Sequence, residues 1–245
     1  MFRSIALALA LATPAAALDL EALSDTEREA FRAEIRAYLL DNPEVLMEAI
    51  GVLESREQEA QIAADAEMLA ALATDIADDG YSWVGGNPDG DITLVEFMDY
   101  RCGYCKRAFE PVESLVAADG NIRFVLKEFP ILGEQSLMAS QFAIAVKQIH
   151  GDDAYKDAHD ALMTMNAEVS EDTLTRLAEG LGLEIDPILV QMAAPEVAQE
   201  IAATRALAQA LQINGTPTFV LGDQLVRGFV PAEAMAAEIA RIRGE

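Results

Sequence analysis

The sequence predicts an α/β fold in which a buried strand leads into a pair of cysteines at the start of a helix. The run Ile92–Met98 is short, β-rich and nearly all apolar, as a buried central strand should be, and the pattern becomes helical from Lys106. Between them lie Cys102 and Cys105, the two cysteines of the chain. Further strand-like runs are separated by long helical stretches, which also favours an α/β protein.

The first residues have the pattern of an export signal. A short positive region (Met1–Ser4) precedes an apolar stretch (Ile5–Thr13) and a small-residue cleavage site that ends at Ala17. The apolar stretch is roughly half of the ~20 residues that span a bilayer, so a cleaved signal is favoured over a membrane anchor. We expect residues 1–17 to be removed, the mature chain to begin near Leu18, and the protein to reach a bacterial periplasm without membrane insertion.

The composition is strongly acidic. The 42 acidic residues outnumber the 17 lysines and arginines, which gives a net charge of −25. Nucleic acid and anionic membranes are excluded as partners, because a phosphate-binding surface needs clustered cations. Neutral or basic unfolded proteins fit this charge better as clients, and an acidity that serves only solubility is the alternative.

Residues 18–80 are predicted to form a helical arm that is distinct from the rest of the chain. Ser24 and Glu27 have the spacing of a capping box, which places a first helix over Asp25–Leu40. A second helix is predicted to have Asn42 as its N-cap and Pro43 as its first residue.

The second helix of the arm carries an apolar stripe, which a polar stretch at 54–59 follows. The stripe consists of Val45, Leu46, Ala49, Ile50 and Leu53. Because the arm has too few partners of its own to bury this stripe, we expect the protein to be a homo-oligomer. Packing of the arm onto the rest of the chain is the alternative.

Residues 81–245 are predicted to form the second domain. Residues 80–90 are interpreted as a linker that leads into the first strand, and Trp83 as a packing residue. After the cysteine helix, the sequence predicts a strand at 121–127, a helical insertion over about 133–212, a hairpin of strands 218–221 and 224–227 around Gly222-Asp223, and a last helix at 231–241. His150 and His159 have no partners at a ligand spacing and are interpreted as surface or capping residues.

The cysteine pair is predicted to be redox-active. Cys102 should lie at the helix N-terminus, where free N–H groups and the helix dipole favour a thiolate. The cations Arg101, Lys106 and Arg107 favour it further. We therefore expect Cys102 to attack disulfides and Cys105, one turn further in, to resolve the mixed disulfide.

Other interpretations of the thiols remain open. A structural disulfide across so short a loop would stabilise little. A zinc site lacks ligands, since the chain has 2 cysteines and 2 histidines. A Cu(I) site on the two thiolates, as in a copper-tolerance module, is the alternative that uses the same residues. A holdase chaperone built on the helical arm is another. For the redox interpretation we expect no organic or metal cofactor.

Four segments together resemble the DsbA-like thiol-disulfide oxidoreductases, over about Asp91 to the C-terminus. They are Val95-Glu96-Phe97, Cys102-Gly103-Tyr104-Cys105, Lys127-Glu128-Phe129-Pro130 and Asn214-Gly215-Thr216-Pro217-Thr218-Phe219. The stretch from Tyr38 to Leu46 resembles the oligomerisation arm of the suppressor-of-copper-sensitivity C proteins. The resemblance implies a thioredoxin-like fold with a helical insertion, and a protein disulfide oxidoreductase.

The resemblance also implies roles for single residues. Thr216 and Pro217 would form a cis-proline element opposite the dithiol, which pairs with the client backbone. Glu96 would be a buried acid that moves protons to and from Cys105, and Lys127 on the neighbouring strand could be its partner. A solvent-facing pair of Glu96 and Lys127 on an edge strand is the alternative.

The residues between the cysteines bear on the direction of electron flow. Gly103 and Tyr104, together with Thr216, are similar to the DsbC-type isomerases, whereas the insertion and the element order are similar to the DsbA oxidases. We favour isomerisation of wrong disulfides in exported client proteins over primary oxidation. The membrane redox partner would be a reductant of the DsbD type for an isomerase, or an oxidant of the DsbB type for an oxidase.

Overall fold

The computed structural model describes residues 23–244, and the predicted export signal lies outside the described residues. Three helices precede the first strand: α1 (Asp25–Asp41), α2 (Glu44–Ala71) and α3 (Ala73–Ala77). The chain divides between Gln58 and Glu59, inside α2, into two compact units.

The start of α1 confirms the predicted capping box. The hydroxyl of Ser24 accepts the N–H of Glu27 at 3.4 Å, and the N–H of Ser24 donates to the Glu27 carboxylate at 2.9 Å. The predicted N-cap role of Asn42 is wrong, because its side-chain amide donates to the Tyr38 carbonyl at 2.9 Å and so closes α1 instead. Helix α2 begins one residue after Pro43.

Apolar side chains lie exposed along α1 and the first half of α2. None of the α1 residues is buried among the described residues. The exposed members are Phe31, Ile35, Tyr38, Leu40, Leu46, Met47, Ile50, Val52 and Leu53. Nothing within residues 23–58 covers this apolar surface.

The second unit is built on a five-stranded sheet in the order β1-β3-β2-β4-β5. The strands are β1 (Trp83–Gly86), β2 (Ile92–Met98), β3 (Ile122–Glu128), β4 (Thr218–Leu221) and β5 (Gln224–Arg227). Strands β2 and β3 are parallel, and the other neighbours are antiparallel. The helices are α4 (Gly103–Asp119), α5 (Glu134–His150), α6 (Asp152–Thr164), α7 (Glu171–Gly180), α8 (Ile185–Met192), α9 (Pro195–Ala210) and α10 (Ala232–Arg243).

The predicted order of strand, cysteine helix, strand, helical insertion, hairpin and helix is confirmed, but strand β1 was predicted as linker. The strand was missed because its two glycines are typical of a loop. The structure shows that a side chain at either position would clash with its neighbours. A Cβ on Gly85 would lie 1.9 Å from the indole of Trp83, and one on Gly86 would lie 2.3 Å from the Ile122 carbonyl. Trp83 is buried in the core, as its interpretation as a packing residue requires.

Side-chain alternation along β2 divides the core into two layers. Leu94 and Met98 pack with α4, α5 and α6 on one face of the sheet. Val95 and Phe97 pack on the other face, together with residues of α2, α3 and α9 such as Leu69. Among residues 23–244, no helix is long and apolar enough to cross a membrane.

Candidate active site

Cys102 is the N-cap residue of α4, directly after the loop that follows β2. Its Sγ accepts the N–H of Cys105 at 3.4 Å, and as a thiol it donates to the Thr216 carbonyl at 3.1 Å. Cys102 and Cys105 are both free thiols in this structure. The predicted placement of the first cysteine at a helix N-terminus is confirmed.

The two thiols have opposite acidities. A hydrogen bond from the Cys105 thiol, supported by backbone N–H groups of the first helical turn, lowers the pKa of Cys102 to about 5. Burial, followed by the hydrogen bond to Cys102, raises the pKa of Cys105 above its ordinary value. Cys102 is therefore a thiolate at neutral pH, and Cys105 remains protonated beneath it.

A cis peptide bond joins Thr216 and Pro217 at the start of β4. The Thr216 carbonyl faces Cys102, and the Pro217 carbonyl accepts the N–H of Gly228 at 2.9 Å. The tertiary fold thus brings together a dithiol and a proline that are more than a hundred residues apart in the chain.

Glu96 lies on the same face of β2 as Leu94 and Met98, under the cysteine helix, and is 3% exposed. Burial raises the pKa of this carboxyl to about 8, and the negative charges of Glu113 and Cys102 add to the effect. Its Oε1 has no hydrogen-bond partner among the described residues. The alternative of a solvent-facing glutamate is therefore wrong.

The predicted pairing of Lys127 with Glu96 is wrong. In the parallel ladder Lys127 is the partner of Phe97, whereas Glu96 is the partner of Leu126. Because register partners point to the same face of a sheet, Lys127 and Glu96 lie on opposite faces. Lys127 instead forms a buried ion pair with Asp79 at 2.5 Å and donates to the Asp75 carbonyl.

A buried polar network lies beside the active-site loop, and the sequence analysis missed it. The Glu128 carboxylate accepts the hydroxyl groups of Tyr100 and Tyr155, each at 2.7 Å. The hydroxyl of Tyr100 also lies 3.1 Å from Nδ1 of His159. The surface interpretation of His159 is wrong, since this residue is 1% exposed and burial lowers its pKa to about 3.

Asp99 is a second residue that the sequence analysis missed, although a carboxylate directly after a buried strand was the available signal. It is fully buried, and its two oxygens accept the backbone N–H groups of Arg101 at 2.8 Å, Ile131 at 2.8 Å and Leu132 at 3.1 Å. Its carbonyl accepts the N–H of Cys102 at 3.0 Å. Asp99 thereby joins the cysteine loop to the loop after β3.

Replacement of Asp99 by alanine should destabilise the fold by about 3 kcal/mol, because three backbone N–H groups lose the charged acceptor that this buried carboxylate provides. Urea denaturation followed by circular dichroism measures this change. Asp99→Asn keeps one acceptor oxygen and should lose less. An Asp99→Ala variant that unfolds at the same urea concentration as the parent chain would contradict this role.

One cluster of side chains has the composition of a metal site. Glu113, His159 and Asp160 offer ligand atoms that lie within 4.8 Å of one another. However, the ammonium group of Lys156 lies 2.7 Å from Asp160 and 3.4 Å from Glu113, so a cation of the protein already occupies the space between these carboxylates.

Two family models match the chain. The model described as the DSBA-like thioredoxin domain matches residues 93–240. The model described as the N-terminal domain of the copper resistance protein ScsC matches residues 27–60.

Solved structures with the same fold include a thioredoxin-like oxidoreductase from Silicibacter pomeroyi, which is 43% identical with a TM-score of 0.66 over 70% of this chain and 98% of that chain. Proteus mirabilis ScsC in a compact conformation is 27% identical, with a TM-score of 0.61 over 82% of this chain and 98% of that chain. The predicted thioredoxin-like fold and the resemblance to DsbA-like and ScsC proteins are confirmed.

The curated relatives that match part of this chain are named as antiporters rather than as oxidoreductases. A Na⁺/H⁺ antiporter NhaA from Salinispora tropica is 29% identical over 170 residues, which are 66% of this chain and 26% of that protein. The chain spans about a quarter of the length of the curated relatives it matches.

Proposed function

The chain belongs to the family of DSBA-like thioredoxin domains, and on this premise we propose that it is a thiol-disulfide oxidoreductase that reshuffles wrong disulfides of exported proteins in a bacterial periplasm. In this proposal, the first unit, which ends at Gln58, is the oligomerisation arm, and the unit from Glu59 onward, which contains the predicted catalytic domain 81–245, carries the chemistry. The clients are proteins with exposed cysteines.

The observation that carries the proposal is the geometry of the dithiol: Cys102 caps the N-terminus of α4, accepts the N–H of Cys105 at 3.4 Å and lies 3.1 Å from the Thr216 carbonyl, while Cys105 is fully buried. The Cys102 thiolate attacks one sulfur of a client disulfide, so that a mixed disulfide forms and a client thiolate leaves. That thiolate can attack another client disulfide, and a further client thiolate then displaces Cys102. The client is reshuffled with no net transfer of electrons.

Cys105 provides the exit from a stalled mixed disulfide. When its thiol loses its proton, it attacks Cys102 Sγ, and the client leaves as a thiol reduced by two electrons. The buried carboxyl of Glu96 lies on the face of β2 beneath the helix, and burial raises its pKa to about 8. Because this pKa is close to neutral pH, a minor fraction of Glu96 is ionised there, and this carboxylate accepts the proton of Cys105. A membrane reductant of the DsbD type would restore the dithiol.

The surroundings of Cys102 support the binding of an extended client segment. The cis Thr216-Pro217 bond places a backbone carbonyl 3.1 Å from the attacking sulfur. Gly103 and Tyr104 are exposed beside it, so a client strand can approach the sulfur from solvent.

The exposed apolar side chains of α1 and α2 support an oligomer, because self-association would remove them from water. An assembly that holds several dithiols around one client favours isomerisation over primary oxidation, since a misfolded client stays bound while its bonds exchange.

Copper handling is a second candidate function, favoured by the match of residues 27–60 to the N-terminal domain of a copper resistance protein. The residues that would bind Cu(I) are Cys102 and Cys105, since soft thiolates select this ion. Stoichiometric Cu(I) binding by a chain without disulfide-exchange activity would favour this function.

Introduction of a charge into the apolar surface of the arm should disrupt the oligomer without changing the chemistry at Cys102. We expect Ile50→Glu to yield smaller particles in sedimentation and to lose most of the reactivation of a protein with scrambled disulfides, while the rate of reduction of a small disulfide stays unchanged. The exposed Glu48→Gln on the same helix is the control.

Failure on the scrambled substrate by the parent chain, with rapid oxidation of a reduced one, would overturn the isomerase proposal and leave an oxidase.

A further inference from the structure

The cations around the dithiol have no acidic partners, although the chain is rich in acids. Within residues 59–244, ion pairs hold Arg123, Lys127, Lys147, Lys156, Arg227, Arg241 and Arg243. The cations of this range without an ion pair are Arg101, Lys106, Arg107, Arg176 and Arg205. Three of these five flank the two cysteines.

The contacts of these three cations orient them without neutralising them. Arg101 donates to the side-chain oxygen of Gln135, and Lys106 donates to the Met165 carbonyl. The guanidinium of Arg107 lies over the ring of Tyr104, 5.4 Å from its centre. Each partner is uncharged, so the positive charges stay available to a bound molecule.

Apolar side chains are exposed on the cysteine helix and on the loop after β3, which Asp99 joins to the cysteine loop. Tyr104 lies between the cysteines and is 59% exposed, and Ile131 and Leu132 lie in the loop after β3. The surface around Cys102 therefore combines apolar contact area with unneutralised positive charge.

We propose that Arg101, Lys106 and Arg107, together with Tyr104, Ile131 and Leu132, form a docking surface for client segments that carry acidic side chains close to their reactive cysteine. The inference rests on the proposed function and deepens it by naming a class of client. Complementary charges would speed the encounter and hold the client sulfur near Cys102.

This preference is opposite to the one that the net charge of −25 predicts. Screening of charges by salt decides whether the net charge or the local cations determine the preferred client. At an ionic strength of about 0.1 M the screening length is about 10 Å, so charges next to Cys102 act on a client residue beside the attacked sulfur and distant charges act little. Glu168 is the acidic residue that lines the pocket with Arg101 and Lys106, and among the described residues no ion pair joins it to either.

The test compares three peptides of equal length whose single cysteine, activated as a 2-pyridyl disulfide, is flanked by aspartates, by serines or by lysines. The Cys102 thiolate attacks the cysteine sulfur of the peptide, and the S–S bond of the activated disulfide breaks. Pyridine-2-thiolate leaves and takes one proton from solvent, which gives 2-thiopyridone. Cys105 then releases the peptide as a thiol. The absorbance of 2-thiopyridone reports the rate of the first step for the reduced full-length chain.

We expect the aspartate peptide to react roughly tenfold faster than the lysine peptide at about 0.1 M ionic strength, and this ratio to approach one at about 1 M. In the variant with Arg101→Gln, Lys106→Gln and Arg107→Gln, the ratio at low salt should vanish or reverse. The exposed, unpaired Arg176→Gln in helix α7 is the matched control and should keep the ratio.

The uncharged 2,2′-dipyridyl disulfide separates docking from the intrinsic reactivity of Cys102. Equal rates for the aspartate and lysine peptides, or faster reaction of the lysine peptide, with normal reaction of the dipyridyl disulfide would overturn the docking surface alone. Absence of reaction with every disulfide would overturn the proposed function and the docking surface together.

Discussion

Replacement of Cys102 by serine should reduce disulfide exchange to the rate measured without protein, because a serine hydroxyl does not form a disulfide and the remaining thiol is buried. Cys105→Ser should behave differently. It keeps the thiolate at Cys102, so attack continues, but the mixed disulfide with the client persists because no thiol resolves it.

The two serine variants serve as controls for each other, since each keeps one thiol. Intact-mass measurement after incubation with a disulfide-bonded client should show a covalent adduct on Cys105→Ser and none on Cys102→Ser. An adduct on Cys102→Ser alone would reverse the assigned roles of attacking and resolving thiol.

Glu96→Gln should change how the stability of the reduced protein depends on pH. In the unfolded chain this carboxyl has the ordinary glutamate pKa of 4.5, whereas burial raises the pKa to about 8 in the folded chain. Between these values the folded state keeps a proton that the unfolded state has released, so Glu96 lowers the free energy of unfolding as the pH rises from about 4.5 to about 8.

The amide of the Glu96→Gln variant has no proton to lose, so this decrease should be absent. We expect the variant to gain roughly 3 kcal/mol of unfolding free energy relative to the parent chain between pH 5 and pH 8. Urea denaturation at several pH values in the presence of a reductant measures the difference.

Other groups contribute to the pH dependence of the parent chain, so the comparison must be made between variants. Burial also raises the pKa of Glu128 to about 8 and of Glu200 to about 7, with the same sign of effect. Cys102 acts oppositely, since its pKa falls from 9.0 to about 5 and its thiolate adds stability as the pH rises. The exposed Glu110→Gln controls for the loss of one acidic side chain. Parallel curves for Glu96→Gln and the parent chain would contradict the prediction.

Features that depend on neighbouring residues could be predicted from the sequence. The capping box at Ser24 and the hairpin turn at Gly222-Asp223 lie where local pattern places them. The same holds for the helix that begins after Cys102, because a buried strand, a short loop and a helical pattern follow one another directly. The placement of Cys102 at the helix N-terminus follows from this local pattern, and the prediction that Cys102 is the nucleophile rests on the electrostatics of that position.

Features that depend on residues far apart in the chain were decided by the tertiary structure. The register of β2 against β3 places Lys127 opposite Phe97, so it faces away from Glu96 and towards Asp79. Strand β1 is defined by its pairing with β3 rather than by its own residues.

The active site shows the same division. The sequence by itself determined the two thiols, their spacing and the charge of the residues around them. Only the tertiary structure decided that Thr216 faces Cys102, that Asp99 holds the loop after β3, and that the nearby cations find no acidic partner among the described residues. The physical reason is that a hydrogen bond or an ion pair needs two groups within a few ångströms, and strand register and helix packing determine which groups meet.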